Sequence, residues 1–270
     1  MDTPEQNVRN AARSGLGILA ITDHDTTRGY EEAKKEAEKY GIEIIPGVEV
    51  TTRDYHILGL GIDVNNRSLQ KFLEKGRYIQ EQVCRSRTKK LAAHGAPIEF
   101  RMVRETFPTS RLGKCNIFYT MMESEEGRRY LEEKTGKNDF LGMYFGFMKL
   151  TKALGKDNFP GEITPEETIK QIHQAGGIAI LAHPALDIKD MSELDKLVEQ
   201  GIDGLEVQPN YIESYAPYEA YACERGLKIT RGSDFHGQIF AKRPLLNRDN
   251  ALRIESLDEF FSVNRTPVII

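Results

Sequence analysis

Six side chains of the kinds that grip metal ions stand at the ends of short apolar runs: His24, Glu49, His56, His183, Asp234 and His236. The run Ile18 to Ile21 stops at Thr22-Asp23-His24-Asp25, and the same grammar returns at Ile42 to Glu49, Ile178 to His183 and Lys228 to His236. A lone Asp-His-Asp is an ordinary polar turn. Four recurrences of one pattern ask for a shared cause. Of the six histidines in the chain, His24, His56, His183 and His236 fall at such ends, whereas His94 precedes a helix-ending glycine and His173 lies within a helix. Imidazole with carboxylate suits Zn, Mn or Fe, and a carboxylate such as Glu49 can bridge two ions. Two or more ions together would activate a water and neutralise a phosphoryl group in an in-line displacement.

The elements that carry these residues alternate. Thr3-Pro4-Glu5-Gln6 is a helix start, with Thr as cap, Pro at the first helical position and Gln three residues after the cap. A helix to about Ser14 leads into the strand Ile18–Ile21, a helix from about Gly29 to Tyr40, and a β-rich run from Ile42 to Val50. His56 opens another strand. If it forms a hairpin with the preceding one, His56 returns beside the end that holds Glu49. Alternation resumes at Thr164-Pro165-Glu166-Glu167, a second helix start with the capping-box pattern. Strands 178–182, 204–207 and 227–230 follow, with helices between them, then a helix from Ser256 and a closing strand at Val268–Ile270. Polar residues at successive strand ends predict a barrel or open sheet with its site at the strand termini.

Residues 65–162 read differently, as long charged helices with few strand signals, which predicts a helical insertion, a lid or cap, between barrel segments 1–64 and 163–270. Its aromatic and sulfur-rich stretch from Phe140 to Met148 is expected to pack the insertion itself, the alternative being a wall for a base or ring.

At 270 residues, 39% hydrophobic and 29% charged, the chain has the make-up of a globular α/β protein. A net charge of -4 gives no global field for a polyanion, so a phosphate substrate must be met by local charge and metal; double-stranded DNA is not expected as a partner. Cys84, Cys115 and Cys223 lack disulfide or metal-type spacing, and the start is polar, without a membrane-length apolar stretch. A cytoplasmic protein is expected.

Ile21 to Thr26, Pro46-Gly47-Val48-Glu49, His56-Ile57-Leu58-Gly59, Leu181-Ala182-His183-Pro184 and Gly232 to Gly237, in this order, resemble the PHP (polymerase and histidinol phosphatase) family of metal-dependent phosphoesterases. The insertion resembles the branch that hydrolyses nucleoside 3',5'-bisphosphates and trims short RNA from the 5' end. The resemblance implies a distorted (β/α)7 barrel with up to three divalent ions at one mouth, Mn, Zn or Fe. It implies one ion held by Glu49, His56 and His183, a second shared by Glu49 and Asp234, and a third with His24 and His236. His24, His236 and Asp25 are the expected catalytic residues, and a small phosphorylated substrate, a nucleotide or short RNA, the expected partner. Where that branch often has Gly-Arg-Pro-His, this chain has Gly113-Lys114-Cys115-Asn116, so Lys114 and Asn116, with Arg243 or Lys242, are expected to meet substrate. The family opens with a strand carrying Asp-x-His-x-His and a later Ser-Asp-Gly, which are not in this sequence; the first barrel strand and three ligands are expected upstream of Met1. The competing readings are a histidinol-phosphate-type phosphatase and a non-catalytic metal-binding remnant.

Overall fold

Strands β1 (Ile18–Ile21), β2 (Glu43–Thr51), β3 (His56–Leu60), β4 (Ile178–Leu181), β5 (Gly204–Val207) and β6 (Lys228–Arg231) pair in sequence order into one mixed sheet. The computed structural model describes residues 2–155, 162–208, 212–237, 246–251 and 257–261. β3 is antiparallel to both β2 and β4, and the other neighbours are parallel. The sheet curls into a half-barrel surrounded by helices, the α/β curled-barrel class expected from the sequence. The closing strand expected at Val268–Ile270, like Ser256, lies outside the described residues.

The chain forms two compact units, residues 1–73 with 163–270, and residues 74–162. In the first, α1 (Pro4–Arg13) and α2 (Gly29–Ala37) cover one face of β1 and β2, where Val8, Ala11, Ala33, Ala37, Ile21 and Ile44 form a core. α1 begins with the capping box read from the sequence, Thr3 accepting from Gln6 N and Gln6 reaching back to Thr3 N. α2 stops at Ala37, short of the expected Tyr40. α3 (Arg67–Ala93) crosses the boundary between the units. Its first turns belong to the sheet unit because Leu69 and Leu73 are buried, Gln70 Nε2 donates to Thr27 Oγ1 at 2.9 Å, and Ser68 Oγ to Gln171 Oε1 at 2.9 Å.

The inner face of the sheet explains where the site lies. Strand residues alternate between faces, and the register Ala20↔Ile45, Gly47↔Leu60, Leu58↔Ile180, Ile180↔Gly204 and Glu206↔Thr230 identifies the inward set. Its lower layer is apolar, with Ile45, Leu58, Leu60, Ile180 and Ala182 packed together. One step along the strands the same face turns polar: Glu49 on β2, His56 on β3, Glu206 on β5 and Thr230 on β6. At the level between, Gly47 has no room for a side chain, since a Cβ there would stand 2.9 Å from Ile21 O and from Thr22 Cγ2.

On the later strands, α8 (Pro165–Gln174) starts at Thr164, whose hydroxyl accepts from Glu167 N at 3.1 Å. A short helix the sequence did not suggest, α9 (Pro184–Asp187), follows β4 directly, because Pro184 supplies a ready helical first position. α10 (Ser192–Glu199), α11 (Ile212–Arg225) and α12 (Leu257–Phe261) complete the first unit.

In the second unit, α3 is joined by α4 (Phe100–Thr106), α5 (Lys114–Glu123), α6 (Glu125–Thr135) and α7 (Phe140–Ala153). Phe118 of α5 is fully buried, with the rings of Phe140 and Tyr144 each at 5.3 Å and Phe147 at 5.7 Å. The stretch Phe140–Met148 is thus largely the packing of this unit, only Phe145 among its aromatics being exposed. Arg104 ties down the loop before α5, donating through Nη1 to the carbonyls of Phe107, Pro108 and Ser110 and through Nη2 to Glu81.

Candidate metal centre

Glu49 is the hub. Its Oε1 lies 2.9 Å from His56 Nδ1 and 3.2 Å from His183 Nε2, those two nitrogens are 3.1 Å apart, and Oε2 is 3.7 Å from His24 Nδ1. Ligand atoms about 2.1 Å from a common divalent ion sit roughly 3.0–3.4 Å from one another at octahedral or tetrahedral angles. The triangle Glu49, His56 and His183 has that spacing, and the hard-oxygen and imidazole set suits Zn, Mn or Fe.

The hairpin makes half of this triangle. Its register places Thr51 opposite His56 and Glu49 opposite Leu58, so both side chains face inward at the same end. His183 arrives from the exit of β4, where it adopts φ 31° and ψ 53°. Asp25, His183 and Asp234 are the three non-glycine residues with positive φ among those described, and all lie in or beside the candidate centre. Left-handed backbone of this kind is costly and clusters at functional sites.

His24 is brought in by a bridge between its loop and β2, with Glu49 N donating to Asp23 O at 3.2 Å and Asp25 N to Glu49 O at 2.9 Å. Asp25 is fully buried and its Oδ1 accepts from Thr51 N at 2.9 Å, which pins the loop to the strand. The His24 ring stands 4.9 Å from that of His56 and 6.1 Å from that of His236. His236 Nδ1 is 2.9 Å from Asp234 O and 3.2 Å from Asp234 Oδ1. Glu49 and His183 are buried; His24, His56 and His236 are partly open to solvent.

Charge follows geometry. Burial works against ionising Glu49, but the imidazoles of His24, His183 and His56 outweigh it and hold the carboxyl well below its ordinary range. Burial likewise disfavours a charged His183, yet the carboxylates of Asp187 and Glu49 push it up to about 10. Burial raises Asp23, with Glu32 and Glu49 adding to the effect.

Two residues that sequence reasoning missed bear on His183. Asp187 Oδ2 lies 3.1 Å from His183 Nδ1, close enough for an ion pair but off the direction of a proper hydrogen bond; it is the outer carboxylate that commonly orients a ligating histidine. Its signal was the spacing of four residues in His183-Pro184-Ala185-Leu186-Asp187. Glu206 Oε2 accepts from His183 N at 3.0 Å, and burial pushes its carboxyl up to about 7, against the pull of that bond. Its signal was a lone carboxylate within the apolar strand Gly204–Val207.

Among the residues expected to meet substrate, Asn116 is buried and caps α5, its Oδ1 accepting from Gly113 N at 2.8 Å. Lys114 opens the same helix, and Arg243 and Lys242 lie outside the described residues. His94 Nδ1 faces Lys90 O at 2.8 Å and His173 Nε2 faces Asp203 Oδ2 at 2.7 Å.

A family model described as the PHP domain matches residues 1–131. The chain is 32% identical over 252 residues to the 5'-3' exoribonuclease Rnm of Escherichia coli, covering 87% of this chain and 80% of that protein. It is 27% identical over 249 residues to the phosphoribosyl 1,2-cyclic phosphate 1,2-diphosphodiesterase of Eggerthella lenta, covering 88% of this chain and 90% of that protein. A crystal structure from Bifidobacterium adolescentis, assigned as a metal-dependent phosphoesterase, shares the fold at a TM-score of 0.77 and 24% identity, over 96% of this chain and 90% of its own. With the curled sheet and the convergence of imidazoles on Glu49, these likenesses show that the chain belongs to the PHP family of metal-dependent hydrolases of phosphate esters.

Proposed function

We propose that the chain hydrolyses a phosphate ester of a small nucleotide, such as a nucleoside 3',5'-bisphosphate, or of an RNA 5' end. The observation that carries the metal part of the reading is the triangle of Glu49, His56 and His183, each side close to 3 Å. In this reading these three residues hold one ion, Glu49 with Asp234 a second, and His24 with His236 a third, the ions being Mn, Zn or Fe. When bound, such ions supply a water of lowered pKa and neutralise charge on the phosphoryl oxygens.

The chain's own residues do the rest. Glu49 stays ionised through the working pH range, so its two oxygens face the cluster as full acceptors. His24 and His236 are partly exposed imidazoles, and either one, where it does not hold the third ion, can pass a proton to the leaving oxygen. Asp25 contributes by position, fixing the loop that carries His24. Lys114, Asn116 and Arg243 are assigned to substrate on residue type alone, Lys114 and Arg243 as charges for a phosphate.

The RNA 5' end is favoured by the 32% identity to an exoribonuclease, against 27% both to the cyclic-phosphate diphosphodiesterase and to a 3',5'-nucleoside bisphosphate phosphatase. Metal analysis paired with a panel of esters tests it: a nucleoside 3',5'-bisphosphate, a 5'-phosphorylated oligoribonucleotide, a ribosyl 1,2-cyclic phosphate and histidinol phosphate. Turnover of either of the first two, abolished by chelation and restored by Mn or Zn, is the expected result. Turnover confined to the cyclic phosphate or to histidinol phosphate overturns the substrate assignment. One ion bound without any turnover overturns the enzyme reading in favour of a binding module.

A further inference from the structure

Glu206 is a buried carboxylate that the chemistry above leaves without a task. It sits on β5, whose four residues are all buried, and it points to the inner face beside Thr230 of β6. A carboxylate in such a place is retained only with a partner. Its Oε2 takes the main-chain N–H of His183 at 3.0 Å, and that residue holds a left-handed backbone uncommon outside glycine. On the other side, Oε1 packs against Gly232, just past β6, so closely that a Cβ there would stand 1.9 Å away. The carboxylate is wedged between the exits of β4 and β6. The side-chain nitrogen of the residue it holds is the one that meets Glu49 and His56.

We propose that Glu206 is a positioning residue of the metal centre: by accepting the His183 N–H it fixes the turn from which Nε2 reaches the shared ion, while Asp187 faces the ring from behind. The proposal rests on the metal reading given above. It assigns Glu206 no contact with substrate. What matters is the acceptor oxygen at that point, so an amide oxygen in its place should serve where a methyl group does not.

The test is titration of the chelator-stripped full chain with Zn, or with Co read by its visible absorption, alongside thermal melting of the same stripped samples. Glu206→Ala is expected to weaken ion binding about 10–100-fold, the loss usual for an outer partner of a metal ligand. Glu206→Gln is expected to recover most of that loss. Gly232→Ala, which leaves Glu206 in the sequence but displaces its carboxylate, is expected to weaken binding too, and carries the test with Glu206→Gln if Glu206→Ala does not fold. Wild-type affinity in Glu206→Ala or Gly232→Ala, or equal loss in Glu206→Gln and Glu206→Ala, overturns the proposal. If the wild-type chain takes up no ion, the metal reading itself fails, and hydrogen exchange at the His183 amide decides the hold: faster exchange in Glu206→Ala or Gly232→Ala supports it, and unchanged exchange overturns it.

Discussion

If His183 ligates an ion as proposed, protonation and ion binding compete there. With its pKa raised to about 10, the imidazole carries a proton at neutral pH in the ion-free chain, while Glu49 is already ionised. A ligating Nε2 must be neutral, so uptake of an ion at pH 7 should release about one proton, and affinity should climb about tenfold per pH unit below that pKa. Calorimetry in two buffers of different ionisation enthalpy measures the release; buffer-independent heats would count against His183 as a ligand. The linkage runs the other way for the ion-free fold. A histidine raised above its ordinary value stabilises fully below about pH 6.5, and that contribution fades as pH rises through about 10. At this scale the convergence on Glu49 was legible in the sequence: His24, Glu49, His56 and His183 stand at strand ends, where side-chain type and position speak together. Asp187 and Glu206 were not, since each acts on His183 through a fold detail, a one-turn helix and an inward-facing strand position, that only the register reveals.

At the scale of elements, the hairpin of β2 and β3 and the parallel seam of β1 and β2 aim the candidate ligands. The hairpin could be read from the sequence because two apolar runs lie a short turn apart, and the helix starts at Thr3 and Thr164 announced themselves by their caps. Helix α9 could not, since Pro184 after a strand reads equally well as a turn. The seam depends on Gly47, whose missing side chain lets Ile21 O and Thr22 approach. Gly47→Ala should force β1 and β2 apart at the point where the His24 loop leaves the sheet, destabilising the fold by about 1–3 kcal/mol, the usual cost of overpacking. Urea denaturation measures that loss. Ion affinity should fall with it, because the bridge between His24 and Glu49 sits one step further along the same seam.

At the scale of the whole molecule, every ligand of the candidate centre belongs to the unit built from residues 1–73 and 163–270. Ions that bind only the folded state stabilise what they touch, by about 2.7 kcal/mol at a free concentration one hundred times Kd. Chelation should therefore speed amide exchange in β2, β3, β4 and the turn at His183 and leave α4 to α7 little changed, a pattern that hydrogen-exchange mass spectrometry resolves. Uniform acceleration across both units would argue against a centre confined to the sheet. The sequence shows a strand-poor middle, and α3 runs without a break through the point where the two compact units divide.

The separation of β3 from β4 also bears on how the chain is made. His56 and His183 are 127 residues apart, and at roughly 5–20 residues per second a ribosome needs about 6–25 s to travel from one to the other. Throughout that interval β3 has no neighbour on the side that β4 will occupy, leaving an open strand edge of the kind that invites aggregation. The stretch 74–162 is continuous and emerges whole within the same interval, free to fold while the sheet waits. Translation speed through that stretch thus sets how long the nascent protein carries an unfinished sheet.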